Sequence, residues 1–292
     1  MMSAVLFKRH LPKNLSDGLA FLFLLFAIHS IGFFQLLHVL PSIYASPDHT
    51  PSGIGISGYY FHLFVGFVCY INVMLNLYKV MTVNSTIRGK MLPSVLKPGG
   101  WHFCSSCECN APPRSFHCHI CSICILKRDH HCTFTGNCIG AFNQRYYLGL
   151  VMFMALAAGY SCMLNMDFFY HIFGNISIKT ILTVTFPLVS WMFTSTDKMS
   201  SMEVFMTSLT LVGFCLNAGL FCYHMMNALN GQSVYERTYN IQDYNLGWKE
   251  NIKTALGTNW RLALICPLID SPIPSDGLEF VTKAQYESLK TM

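Results

Sequence analysis

Charge is what this chain has least of. Asp, Glu, Lys and Arg make up 11% of its 292 residues, against 52% hydrophobic, and the mean hydropathy is +0.40. A soluble domain usually carries about twice that share of charge. The deficit is grouped: none of the four residue types occurs from Gly18 to Pro47, from His49 to Tyr78, from Tyr146 to Met166 or from Val204 to Tyr235. Each stretch holds a run able to cross a hydrocarbon core of about 30 Å as a helix of roughly 20 residues. Spans are predicted near Leu19–Leu40, Tyr59–Tyr78, Tyr146–Met166 and Val204–Met226. The same lack argues against a metal transporter, which needs ionisable residues inside its spans. Only isolated histidines (His29, His38, His62 and His224) are there, the kind that usually pack or sit at interfaces. No internal repeat or low-complexity run is evident. The first run is too long and too late for a cleaved signal peptide.

The basic residues are just as uneven. Arg88, Lys90, Lys97, Arg114, Lys127, Arg128 and Arg145 flank or lie within the segment between the second and third runs, and six more Lys or Arg follow Met226. The loop from Pro41 to Gly58 has none, and Gly174–Glu203 has only Lys179 and Lys198. Basic loops face the cytosol, so both termini and the middle segment are expected there. An even number of crossings must then separate that segment from the tail. The short apolar stretch Ile181–Thr196, interrupted by Pro187, is therefore read as a lumenal re-entrant or surface segment. Of the sequons at Asn14, Asn84 and Asn175, only Asn175 would lie in the lumen. The net charge of +5 calls for no nucleic acid; cytosolic bias and anionic headgroups account for it.

What the chain has in abundance is sulfur and imidazole. Between Cys104 and Cys138 lie eight of its thirteen cysteines and four of its twelve histidines. The run reads Cys104-x2-Cys107, His117-Cys118-x2-Cys121-x2-Cys124, Asp129-His130-His131-Cys132, then Cys138. A reducing cytosol favours metal over disulfide for such a cluster. The C-x2-C spacing lets two sulfurs reach one ion from a tight turn, and two tetrahedral sites need eight ligands where twelve are offered. The surplus includes a cysteine close to a histidine and an aspartate, the composition of a nucleophile with its base and orienting acid. Spacing alone does not say which four groups share an ion or which cysteine is free.

The segment resembles the DHHC-type protein S-acyltransferases (palmitoyltransferases). It follows C-x2-C-x9-H-C-x2-C-x2-C-x4-D-H-H-C-x5-C without a gap, with Pro113, Arg114 and Ser115 where the family has its P-x-R segment and Ile139, Gly140 and Asn143 continuing the pattern after it. Asn240 to Gly257, with Tyr244, Gly247, Trp248 and Asn251, is similar to the family's C-terminal aromatic motif. The ending from Ser271 to Gly277 is similar to the member-24-like branch. The resemblance implies that Cys104, Cys107, His117 and Cys124 hold one structural zinc and that Cys118, Cys121, His131 and Cys138 hold the other. Cys132 is then nucleophile, His130 its base and Asp129 the orienter, while Cys109 and His119 stay surface side chains of a knuckle.

The expected fold is an all-α polytopic membrane protein, four transmembrane helices with a cytosolic, loop-rich, two-zinc cysteine-rich domain between helices 2 and 3. The expected division is 1–80 (N-terminus and helices 1 and 2), 81–145 (catalytic domain), 146–228 (helices 3 and 4) and 229–292 (C-terminal region). The implied activity is transfer of a fatty acyl group from acyl-CoA, typically palmitoyl-CoA, through acyl-Cys132 to cytosolic cysteines of membrane-associated proteins. The resemblance implies a Golgi or endoplasmic reticulum membrane. The partners are those proteins and the lipid bilayer, with no nucleic acid. The alternative is a zinc-bearing membrane scaffold of the same fold with weak or no catalysis.

Small residues on the third span, Ala155, Ala157, Ala158 and Gly159, read either as close helix packing or as room for the end of a long acyl chain. Lys127, Arg128 and Arg145 could meet CoA phosphates or merely satisfy the cytosolic bias. The chain departs from the family at Phe134, where tryptophan is usual, at Gly136-Asn137, and at Tyr147, where phenylalanine is usual. It departs most at Ser233-Val234-Tyr235-Glu236, where the family has Thr-Thr-x-Glu. The second threonine is thought to contact the motif aspartate, so Val234 is expected to leave Asp129 less firmly held, or held by Ser233.

Overall fold

The computed structural model describes residues 12–44, 54–166, 169–170, 178, 182, 186 and 201–291. Four helical stretches are long and apolar enough to cross a membrane: Leu15–Tyr44, Ser57–Thr82, Gln144–Leu164 and Met202–Leu229. The four predicted spans fall on them within a few residues. Along these helices Leu19, Leu22, Phe26, Phe33, Phe61 and Phe64 are each more than half exposed. Such continuous apolar surface suits lipid rather than water, and the chain is a polytopic membrane protein. Apart from Leu182 and Phe186, the stretch Ile181–Thr196 lies outside the described residues, as does Asn175.

The first span is α1 (Leu15–Phe34), a π-helical turn over Gln35–Val39, and α2 (Leu40–Tyr44). The others are α3 (Ile54–Thr82), α4 (Gln144–Leu164) and α5 (Ser201–Leu229). The chain divides into two compact units. One is Met1–Leu22, Met74–Leu150 and Cys222–Met292, and the other is Phe23–Val73 and Val151–Phe221. In the second unit Phe34, Val39 and Met206 are buried together, and Gln35 Nε2 donates to Asn165 Oδ1 at 2.9 Å. Ala155 and Ala158 are buried, and a Cβ at Gly159 would meet the Phe214 ring at 2.9 Å. At least part of the small-residue run thus serves close packing.

The first unit holds the cysteine-rich segment and the tail, and here the all-α expectation is corrected. Three antiparallel hairpins follow one another. They pair β1 (His102–Cys104) with β2 (Cys109–Ala111), β3 (Phe116–Cys118) with β4 (Ile123–Ile125), and β5 (His130–Cys132) with β6 (Asn137–Ile139). The physical reason is the turn. A C-x2-C knuckle reverses the chain within a few residues, so the backbone groups on either side meet and pair. The residue after each knuckle is left-handed, with φ 50° at Glu108, 52° at Ser122 and 60° at Gly136.

The hairpins also correct the absence of a repeat. Equivalent positions recur every 14 residues, at Cys104, Cys118 and Cys132, at Cys107, Cys121 and Thr135, and at Asn110, Cys124 and Cys138.

The third hairpin is tied to the end of α3. Asn137 Nδ2 donates to the Val80 carbonyl at 3.2 Å, and the fully buried Asn143 bonds Val80 and Cys138 carbonyls through Nδ2 while its Oδ1 accepts from Ser85 Oγ and Gly140 N–H. Gly140 must lack a side chain, because a Cβ there would lie 2.6 Å from the Leu126 carbonyl oxygen. The tail packs within the same unit, with Ile273 and Leu278 against the cluster that holds Leu126 and Ala141. Helix α6 is Val234–Thr238, followed by α7 (Trp248–Leu256), α8 (Trp260–Ile265) and α9 (Lys283–Lys290). Ile252, Ala255 and Leu256 of α7 are buried with Leu148 and Ala228, and Asn251 Nδ2 donates to the Leu229 carbonyl at 2.8 Å.

Candidate active site and metal centres

The eight expected ligands fall into two groups that could hold two metal ions, Cys104, Cys107, His117 and Cys124, and Cys118, Cys121, His131 and Cys138. Each group takes a knuckle from one hairpin and a cross-strand pair from the next, His117 opposite Cys124 and His131 opposite Cys138. His117 Nδ1 lies 3.7 and 3.3 Å from the sulfurs of Cys104 and Cys107. His131 Nδ1 lies 3.7, 3.5 and 3.5 Å from those of Cys118, Cys121 and Cys138, and the last two sulfurs are 3.6 Å apart. A tetrahedron with metal–sulfur bonds of about 2.3 Å and metal–nitrogen bonds of about 2.0 Å has edges of roughly 3.5–3.8 Å. Both donor sets fit zinc. With four protein ligands each, they leave no position for a substrate.

Three hairpins make two such sites. The knuckle of the third, Cys132-x2-Thr135, has no fourth hairpin to complete it, and Cys132 is the ligand position left over. It keeps the device that steadies a knuckle thiolate. In the second hairpin the Cys121 amide donates to Cys118 Sγ at 3.4 Å; in the third, the amide and hydroxyl of Thr135 donate to the Cys132 carbonyl at 3.2 and 3.3 Å, and Thr135 helps to lower the Cys132 pKa. Cys109 aligns with Ile123 and Asn137 in this repeat, lies outside both donor groups, and is half-buried against the cluster that holds Ile87 and Ala111 rather than at the surface.

Strand alternation sorts the tetrapeptide. His131 turns to the metal group, while His130 and Cys132 share the opposite face. His130 Nδ1 donates to Asp129 Oδ2 at 2.8 Å, and the Asp129 side chain is 2% exposed. Burial opposes a charged Asp129, but hydrogen bonds and charge from His130 and His224 hold its carboxyl well below the usual carboxylate range. Burial likewise opposes a charged His130, yet Asp129 and Cys132 outweigh it and push its pKa up to about 9. Burial raises the Cys132 thiol, and His130 with Thr135 more than reverses this, leaving it below its ordinary value. The arrangement favours a thiolate beside an imidazolium, the form in which a cysteine can attack an electrophile.

One member of the site was not legible beforehand. His224, read above as an isolated span histidine, lies with its Nδ1 3.2 Å from Asp129 Oδ2. Its ring is 4.9 Å from those of both His130 and Tyr147. The only clue in the sequence was that an imidazole in an apolar span needs a polar partner.

The expectation at Val234 is also corrected. Asp129 Oδ1 accepts from the Val234 backbone N–H at 2.8 Å, which needs no hydroxyl, and Ser233 is occupied as N-cap of α6. Val234→Thr is therefore expected to leave the self-acylation rate within about twofold. His224→Ala, which removes a donor to a buried carboxylate, should lower it about tenfold or more, the size of one charged hydrogen bond. A sharp fall with Val234→Thr would contradict this geometry.

Beneath the site lies a second buried charge cluster. Arg114 donates to both oxygens of Glu236 at 2.6 Å and to the Gly231 carbonyl at 2.8 Å. Its guanidinium stacks against Tyr244 at 4.2 Å and Phe280 at 5.0 Å. Lys127 is 4% exposed and donates to Gln144 Oε1 at 3.0 Å; burial, with Arg114 nearby, brings its pKa down to about 7. Arg145 donates to the Ser271 carbonyl at 3.0 Å and stacks on Tyr146. Lys127 is thus an internal residue, and Arg145 is engaged in holding the tail.

Comparison with known proteins agrees with these features. Residues 97–241 match the family profile described as DHHC palmitoyltransferase. The chain is 33% identical to the probable palmitoyltransferase ZDHHC24 of Rattus norvegicus, over 73% of this chain and 75% of the relative. It is likewise 33% identical to that of Danio rerio over 78% of each. It is 28% identical to the palmitoyltransferase ZDHHC22 of Mus musculus, over 54% of this chain and 62% of the relative.

Proposed function

This chain belongs to the DHHC palmitoyltransferase family and is a protein S-palmitoyltransferase, and on that premise we propose that Cys132 is its nucleophile. The observation that carries the assignment is Cys132 left outside both metal groups and on the same strand face as His130.

In the first half-reaction the Cys132 thiolate, its proton held by His130, attacks the carbonyl carbon of a long-chain acyl-CoA. The carbon–sulfur bond to CoA breaks, and the imidazolium returns the proton to the departing CoA sulfur. In the second, His130 takes the proton of a cysteine thiol on a membrane-associated protein. That sulfur attacks the acyl carbon, and the Cys132 thiolate leaves. Asp129 accepts from His130 Nδ1 throughout, fixing the ring so that Nε2 serves the sulfur. Zinc, held by Cys104, Cys107, His117 and Cys124 and by Cys118, Cys121, His131 and Cys138, would supply only structural tethering.

The catalytic domain is assigned to 81–145, between 1–80 and 146–228, with 229–292 as the C-terminal region. The basic loops support a cytosolic orientation of the termini and the catalytic domain, and membership of the family suggests a Golgi or endoplasmic reticulum membrane.

The sign of the pH dependence follows from the thiol. Because His130 holds the Cys132 pKa down, single-turnover acylation of the wild type should persist well below pH 8.5, the ordinary thiol value. In His130→Ala only Thr135 is left to oppose burial, so the acidic limb should move up toward about 8.5. The rate at pH 7 should fall about 100-fold, the usual size of an acid–base contribution, and partly recover by pH 9. An unmoved limb would remove His130 from the mechanism, and a wild-type chain that never takes up acyl label would overturn the reading as a whole.

A further inference from the structure

The second metal group has a partner that comes from the membrane. Asp17, in the first turn of α1, is 1% exposed. Its Oδ2 accepts from His131 Nε2 at 3.0 Å and from Asn14 Nδ2 at 3.1 Å. Asn14 Oδ1 in turn accepts from the Asp17 amide at 2.7 Å. The same short segment touches the hairpins twice more. Lys13 Nζ donates to the Cys121 carbonyl at 3.3 Å, and a Cβ on Gly136 would meet Pro12 at 2.8 Å. The start of the first membrane helix is therefore fitted against the hairpins that carry Cys121, His131 and Cys132.

A neutral imidazole has one N–H. An acceptor carboxylate at Nε2 keeps the proton there and leaves the Nδ1 lone pair for the metal. That is the nitrogen facing the three sulfurs. Burial strengthens the point, since a carboxylate sealed from water needs its donors in place. His117, the corresponding ligand of the first group, has no carboxylate partner among the described residues.

We infer that Asp17 is a positioning residue for the second metal site, fixing the tautomer and ring orientation of His131 from the first turn of the first membrane helix. The inference rests on the zinc reading above. It adds that the two sites are unequal, and that the one adjoining Cys132 depends on the first span. His131 and Cys132 are neighbours on β5, so a loosened His131 ring loosens the nucleophile.

The test is metal retention by the full-length protein in detergent or nanodiscs, measured by elemental analysis and by the rate of zinc release to a coloured chelator. Wild type is expected to hold two ions per chain; fewer would defeat the zinc reading itself. Asp17→Asn, nearly the same shape with a neutral acceptor, should lower the affinity of one ion about 10-fold, and Asp17→Ala up to about 100-fold. The other ion should be released at the wild-type rate, which also shows that the variant is folded. Self-acylation should decline in step with loss of the weaker ion. Two ions released at wild-type rates in both variants would overturn the role of Asp17. Equal acceleration of both ions would overturn it too, since that marks a general loss of stability.

Discussion

Replacing Cys132 with serine is expected to abolish covalent uptake of a fatty chain from acyl-CoA while leaving both metal ions in place. The loss should be on the order of 10⁴-fold or more, as when a nucleophile is removed from a working constellation. A serine hydroxyl is not ionised by a neighbouring imidazolium and is a far weaker attacking group at neutral pH. The metal is spared because Cys132 belongs to neither donor group. The measurement is hydroxylamine-sensitive labelling of purified protein with an alkyne acyl-CoA, run beside zinc analysis. Label retained by the serine variant would place the acyl chain on another cysteine. Zinc lost with the label would mean that Cys132 is a ligand. A scaffold without catalysis would show no label in either protein.

The second large effect lies at a residue that touches no reacting atom. Arg114 and Glu236 are each buried, their side chains 4% exposed, and bonded at both guanidinium arms. Truncating Arg114 to alanine leaves an uncompensated carboxylate in the interior, which costs about 3–5 kcal/mol. Arg114→Lys should recover little, because an ammonium cannot reproduce the two parallel bonds or the stacking on Tyr244. Activity should fall with stability. Glu236 closes the capping box that starts α6, and the first amide of α6 is the one that holds Asp129. Thermal unfolding in detergent, followed with the acylation rate, checks both. Changes below about 1 kcal/mol in the Arg114 variants would mean that the pair is dispensable.

The spans were legible because lipid enforces one rule over a long stretch, the exclusion of charge. Their ends were less so. The span predicted from Leu19 belongs to a helix that starts at Leu15 and takes in Asp17, whose carboxylate accepts from His131. Residue type and spacing mark the cysteine–histidine cluster, which metal and sulfur chemistry constrain tightly, but only the family resemblance sorts it into eight ligands and Asp129, His130 and Cys132. The strands did not, since three residues are too few to display alternation. Nor did the 14-residue repeat, because its equivalent positions carry Cys, Cys and Thr in one row and Asn, Cys and Cys in another. His224 and the Val234 amide were hidden for opposite reasons. One is a lone polar residue whose partner is remote in sequence, and the other acts through a backbone group that no residue identity reports.

The odd number of hairpins bears on position 135. A thiol there would sit beside the reactive sulfur as Cys121 sits beside Cys118, and together they would form a chelate for any passing thiophilic cation. An oxygen donor can steady the anion without inviting such a guest. Catalysis in this domain thus relies on keeping a second sulfur away from the first.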